Sequence, residues 1–87
     1  MALLEFYGAE CGHCLKMMPM IDRLIAEGIA IEKLETWHNE ENARKLAEYD
    51  RGYCGGVPFF YNTESKHWIC GEEEEETIRR WANGEKV

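Results

Sequence analysis

Residues 2–7, ALLEFY, are apolar apart from Glu5 and stop at Gly8, the pattern of a short strand buried on both faces. Over residues 11–27 the period changes. Leu15, Met18, Ile21, Leu24 and Ile25 recur at three- and four-residue spacing, which predicts an amphipathic helix ended by Gly28. Pro19 lies inside it, removes one backbone donor, and is expected to kink it. Residues 29–36, IAIEKLET, return to a strand pattern. Strand, helix, strand makes a right-handed βαβ unit with parallel strands.

In the second half, Asn39 followed by Glu40 and Glu41 reads as a helix N-cap with an acidic first turn, and Ala43, Leu46 and Ala47 carry the helix to Gly52. Gly52, Gly55 and Gly56 enclose Tyr53 and Cys54 in a loop. Residues 57–61, VPFFY, form a third strand with Pro58 at its start, where a missing N–H is tolerated. A short turn leads into residues 66–70, KHWIC, so these two strands make an antiparallel hairpin. After Gly71, five glutamates at 72–76 open a third helix whose Ile78, Trp81 and Ala82 face inward before Asn83 and Gly84 close it. The fold class is α/β, order βαβαββα, with a four-stranded mixed sheet flanked by three helices. This order gathers Cys11, Cys14, the loop before Pro58, and Gly71 at one sheet edge, where the carboxyl ends of parallel strands place ligand sites.

The bulk numbers narrow the function. A chain of 87 residues, 45% hydrophobic and 31% charged, makes one globular domain over 1–87, and its apolar runs are strand-sized rather than membrane-spanning. The start, Met1-Ala-Leu-Leu-Glu5, has no basic leader or long apolar segment, so a cytoplasmic address is expected. A net charge of -7 disfavours nucleic acid and anionic membranes as partners, and a monomer is expected. With an apolar core available, the four cysteines read as chemistry rather than as staples.

Cys11-Gly12-His13-Cys14 carries that chemistry. Structural zinc wants a second close ligand pair, whereas Cys54 and Cys70 stand far apart in sequence and no metal site is expected. Covalent haem wants histidine directly after the second cysteine, where Leu15 stands. A redox pair fits better. The helix start favours a thiolate at Cys11, which is expected to be the exposed thiol, and Cys14 lies on the same face to resolve a mixed disulfide. His13 between them either adds to thiolate stability or is a solvated helix-start residue.

The segment Leu3-Leu-Glu-Phe-Tyr-Gly-Ala-Glu-Cys-Gly-His-Cys14 closely resembles the active site of the thioredoxin superfamily, and its Cys-Gly-His-Cys core resembles that of protein disulfide isomerase. Pro19 matches the proline of the superfamily's active-site helix, and Val57-Pro58 its cis-proline dipeptide. In length and element order the chain is more similar to glutaredoxin, a minimal thioredoxin fold, than to full-length thioredoxin. The resemblance implies a thiol-disulfide oxidoreductase acting on protein disulfides, with Cys11 attacking, Cys14 resolving, and His13 and Gly12 within the motif. It implies that Glu5 relays protons to the second cysteine, and that Gly56, Val57, Pro58 and Gly71 contact substrate. A redox-active disulfide then needs no other cofactor. Glu10 stands where a tryptophan is frequent, and glutaredoxin's Cys-Pro-Tyr-Cys is absent. The alternative on the same fold is a metal or iron-sulfur binding module.

Outside the motif, Glu5 is the principal oddity: either a buried acid with a raised pKa or a solvated one near a sheet edge. Cys54 and Cys70 read first as buried inert thiols, with a second disulfide, or iron-sulfur ligation together with Cys11, as the other readings. Trp37 and His38 either border the substrate groove or pack on their own helix, and Met17, Met18 and Met20 divide between core and contact surface. The glutamates at 72–76 would repel the anionic tripeptide glutathione, so a protein reductase with a basic docking face is the expected electron donor.

Overall fold

The computed structural model describes residues 2–87. Seven elements follow in the expected order: β1 (Leu3–Tyr7), α1 (Gly12–Ala26), β2 (Ile31–Glu35), α2 (Glu40–Asp50), β3 (Phe59–Asn62), β4 (Trp68–Cys70) and α3 (Glu75–Ala82). The sheet runs β2-β1-β3-β4, with β1 parallel to β2 and antiparallel to β3, and β3 antiparallel to β4. The class is α/β with a four-stranded mixed sheet and three helices, a minimal thioredoxin-like arrangement.

β1 is interior, so alternate residues feed two separate cores. Leu3 joins Phe60, Met17, Ile21, Leu24, Ile78 and Trp81 in the larger cluster. Leu4 and Phe6 join Leu34 and Phe59 on the other face, against Leu46 and Tyr49 of α2. Phe6, Phe59, Phe60, Ile21 and Trp81 are fully buried, and each large apolar side chain so placed contributes roughly 1.5–3 kcal/mol. Trp81 keeps its indole N–H satisfied by donating to the His67 carbonyl.

Beyond strands β2 and β4 being shorter than the expected 29–36 and 66–70, three details differ from the sequence reading. The buried stripe of α1 is Cys14, Met17, Ile21 and Leu24, while Leu15 is half exposed. Periodicity that omitted cysteine rotated the face by one residue. The third helix begins at Glu75 rather than at the first glutamate: residues 72–74 run outside it, and Glu74 stands as its N-cap without a side-chain capping bond. Val57 and Pro58 precede β3 instead of opening it, since the ladder starts only where Phe59 pairs with Cys70.

Candidate functional site

β1 ends at Tyr7, and the Gly8 carbonyl accepts from the Cys11 N–H at 3.0 Å, turning the chain into α1. Cys11 is the N-cap, with extended backbone, and its sulfur accepts from the Cys14 N–H at 3.3 Å. A sulfur here occupies the place that a serine or aspartate oxygen usually takes, and negative charge on it gains from the unpaired N–H groups and dipole of the helix. Cys11 Sγ also lies 3.8 Å from the Val57 carbonyl oxygen. Both thiols are free and buried: Cys11 is 6% exposed and Cys14 is sealed. The exposed Cys11 expected from sequence is therefore corrected, because the loop carrying Val57 lies over it.

Burial, the hydrogen bond with Cys11, and the nearby Glu5 push the Cys14 thiol up to about 12. Glu5 is fully buried in the interior strand, and neither carboxyl oxygen has a protein partner. Desolvation raises its pKa to about 7, against the pull of Lys33 and with a small push from Asp22. The buried reading of Glu5 replaces the solvated one, because β1 has a neighbour on each side.

The remaining sequence candidates fall around this pair. The Val57–Pro58 peptide bond is cis, Pro58 is sealed, and its carbonyl accepts from the Gly71 N–H at 2.9 Å. Gly71 has a φ of 94°, which a side chain would disfavour. Gly12 and Gly56 have open space where a Cβ would stand. The His13 ring is exposed and its Nδ1 is 2.9 Å from Glu72 Oε1, so its hydrogen bond crosses to the glutamate run.

Cys54 and Cys70 are not inert thiols. They form a disulfide joining the loop before Pro58 to the end of β4. The hairpin register places Cys70 opposite Phe59, next to Pro58, and so brings two cysteines sixteen residues apart in sequence within reach. While so bonded, their sulfurs are not thiolate ligands. Among the described residues no cluster of three or more His, Cys, Asp or Glu side chains is placed to hold a metal ion.

Three contributors escaped the sequence reading. Glu35, at the end of β2, accepts from the N–H groups of Ala9, Trp37 and His38. Against the desolvation that raises its pKa, these bonds hold it below the ordinary glutamate value. Asp50, at the end of α2, accepts from Cys54 N–H at 2.6 Å and Gly55 N–H at 2.8 Å, anchoring the loop before Pro58. Gly8 lies under the Trp37 ring, where a Cβ would come within 2.3 Å of it. Gly8 was legible only as a strand stop, and the carboxylates only as ordinary acidic residues. Trp37 borders a groove with Ala43, Leu46, Gly55, Gly56 and Val57, the last of which has its carbonyl oxygen 3.8 Å from Cys11 Sγ. His38 bonds Glu10, which raises its pKa, so the residue before Cys11 and the residue before Cys14 each take part in a His–Glu pair.

A cysteine pair at the start of the first helix of a β2-β1-β3-β4 sheet, facing a cis-proline, places this chain in a thioredoxin-like class. Comparison with known proteins agrees. The chain is similar to thioredoxins of Rickettsia typhi (25% identical), Rickettsia felis (26%) and Rickettsia conorii (26%), in each case over 81 residues that cover 93% of this chain and 77% of the relative. No family model matches the chain, and no solved structure matches it significantly. The chain is thus thioredoxin-like in fold and along nearly its whole length, with the general character of a thiol-disulfide oxidoreductase. Among the described residues no helix is long and apolar enough to cross a membrane.

Proposed function

We propose that the chain, working as a cytoplasmic monomer, exchanges electrons with protein disulfides through Cys11 and Cys14. The Cys11 thiolate attacks one sulfur of the substrate disulfide; that S–S bond breaks and the other sulfur leaves as a thiolate. Cys14, once deprotonated, then attacks Cys11, forming the Cys11–Cys14 disulfide and releasing the second substrate thiolate. The substrate ends with two thiols after taking up protons.

The observation that carries this reading is the bond from the Cys14 N–H to Cys11 Sγ at the helix start. It aims a donor at the sulfur that bears charge, while Cys14 stays protonated near neutral pH because burial holds its thiol at about 12. A resolving thiol so placed needs a base. Burial raises Glu5 to about 7, the range of a general base at neutral pH, and its charge contributes to the electrostatics of Cys14. An extended substrate segment would lie in the groove beside Trp37, meeting Gly56 and Val57 there and continuing past Pro58 and Gly71, which are joined by the Gly71 N–H bond to the Pro58 carbonyl. His13 acts at the rim through its Glu72 partner. A protein reductase supplies electrons, and no further cofactor is needed.

Insulin reduction by dithiothreitol tests the activity. The native protein is expected to accelerate it and Cys11→Ser to abolish it, whereas Cys14→Ser accumulates a mixed disulfide at Cys11 that peptide mapping identifies. Trapping at Cys14 in Cys11→Ser, with none at Cys11 in Cys14→Ser, would reverse the assignment.

A further inference from the structure

The Cys54–Cys70 disulfide is not consumed by the mechanism above, and its placement is unusual for a staple. The fold has two apolar clusters with several sealed aromatic side chains and does not depend on a cross-link for a core. The bond is also reachable: Cys70 is exposed and Cys54 half exposed. Its two ends grip the segment that faces the Cys11 sulfur. Cys54 lies three residues before Val57, whose carbonyl is 3.8 Å from Cys11 Sγ. Cys70 pairs with Phe59, and the next residue, Gly71, donates to the Pro58 carbonyl. Residues 54–59 are therefore tied to β4 at both ends of the cis-proline, directly over Cys11.

We propose that Cys54–Cys70 is a second redox centre, opened by dithiol reductants, whose state sets how tightly the Val57–Pro58 segment covers Cys11. This rests on the active-site reading of Cys11 given above. In the opening step a reductant thiolate attacks the sulfur of Cys70, the more exposed residue of the pair; the S–S bond breaks and Cys54 leaves as a thiolate that takes a proton. The reductant's second thiol then displaces Cys70 from the mixed disulfide. The reductant is oxidised to its disulfide, and Cys54 and Cys70 end as two thiols. The loop is then held by the two N–H bonds to Asp50 and by the stack of Tyr53 on Trp68, whose ring centres are 5.2 Å apart. With the covalent tie gone, the segment opens more frequently and Cys11 becomes more accessible.

Two measurements decide this. In Cys11→Ser/Cys14→Ser, which retains only the second pair, intact mass across dithiothreitol ratios should show reversible loss and gain of two hydrogens under native conditions. Free thiols throughout, or a disulfide that native protein will not release, would overturn the redox centre. In Cys14→Ser, the iodoacetamide rate at Cys11, read by peptide mapping, should rise at least about threefold when Cys54–Cys70 is reduced, with the same rise in Cys14→Ser/Cys54→Ser/Cys70→Ser. Equal rates would overturn the coupling and leave a structural cross-link. Neither readout uses turnover, so failure of insulin reduction would sink the proposed activity while these results still judge the second centre.

Discussion

Glu5 stands opposite Lys33 in the β1–β2 register, yet the lysine ammonium hydrogen-bonds Asp22 of α1 at 2.6 Å and leaves the carboxyl without a protein partner. The lysine charge lowers the Glu5 pKa, but desolvation outweighs it and the group sits at about 7 instead of 4.5. Folded protein therefore binds more protons than unfolded protein between those two values. Stability attributable to Glu5 is complete below pH 4.5 and falls as pH rises to about 7. The loss amounts to about 3 kcal/mol. Urea melts from pH 4 to 8 should show this decline in the native protein and its removal in Glu5→Gln. Lys33→Met should push the decline to higher pH, because it deletes the charge that lowers Glu5 and frees Asp22, which raises it. A native slope retained by Glu5→Gln would place the titrating group elsewhere.

Gly8→Ala drives a Cβ into the Trp37 ring and must displace it. Trp37 is half exposed and has somewhere to go, so the expected loss is modest, about 1–2 kcal/mol. The informative comparison is a double-mutant cycle: in a Trp37→Ala background the same Gly8→Ala change should cost almost nothing. Chemical denaturation of the four proteins measures the coupling, and additive losses would rule out the ring contact as the reason for glycine.

Asp50→Ala removes both acceptors that hold Cys54 and Gly55 N–H groups in the loop over Cys11. A loss of about 2–3 kcal/mol is expected for two bonds to a charged acceptor, and Asp50→Asn should recover part of it through its one oxygen. Hydrogen exchange at the Cys54 and Gly55 amides reports the site directly. Unchanged protection in Asp50→Ala would show that other groups anchor the loop.

The five glutamates at 72–76 are unequally occupied. Glu72 meets His13, and Glu75 meets Arg23 and Arg79, whereas Glu73, Glu74 and Glu76 have no ion pair among the described residues. Replacing all five with glutamine should raise the second-order rate of reduction by glutathione about tenfold at low salt, with the gain shrinking as salt is added. Stopped-flow reduction of the oxidised protein measures it. A fast native reaction with glutathione, indifferent to the substitution, would remove the glutamates as a barrier to that donor.

Local signals were sufficient for much of this protein. The short apolar run of ALLEFY, three- and four-residue spacing after Cys11, Asn39 before two glutamates, and the glycines at 71 and 84 each report a short stretch of backbone, and the seven elements follow from them in order. The same locality made the Cys11–Cys14 pair visible, since a helix start and a two-residue spacing are both read within a few residues. Boundaries slipped where a side chain outside the stretch decides them. Glu74 has the composition of a helix start but no capping bond, and the face of α1 turns on Cys14, whose burial depends on the sheet beneath.

Only the tertiary structure decided the relationships between distant segments. Cys54 meets Cys70 because β3 and β4 pair in a particular register, and nothing local to either cysteine encodes that pairing. Glu5 is buried because β1 takes an interior place in the sheet and its Leu3 face is covered by α1 and α3, so that a position the apolar run left open between core and edge became core. Asp50, Glu35 and Gly8 became site residues for the same reason: each acts on a backbone or ring brought to it by the fold. Propensity and periodicity are short-range properties of the chain, whereas the surroundings that set a pKa, close a disulfide or cover a thiol are assembled from segments that meet only after folding.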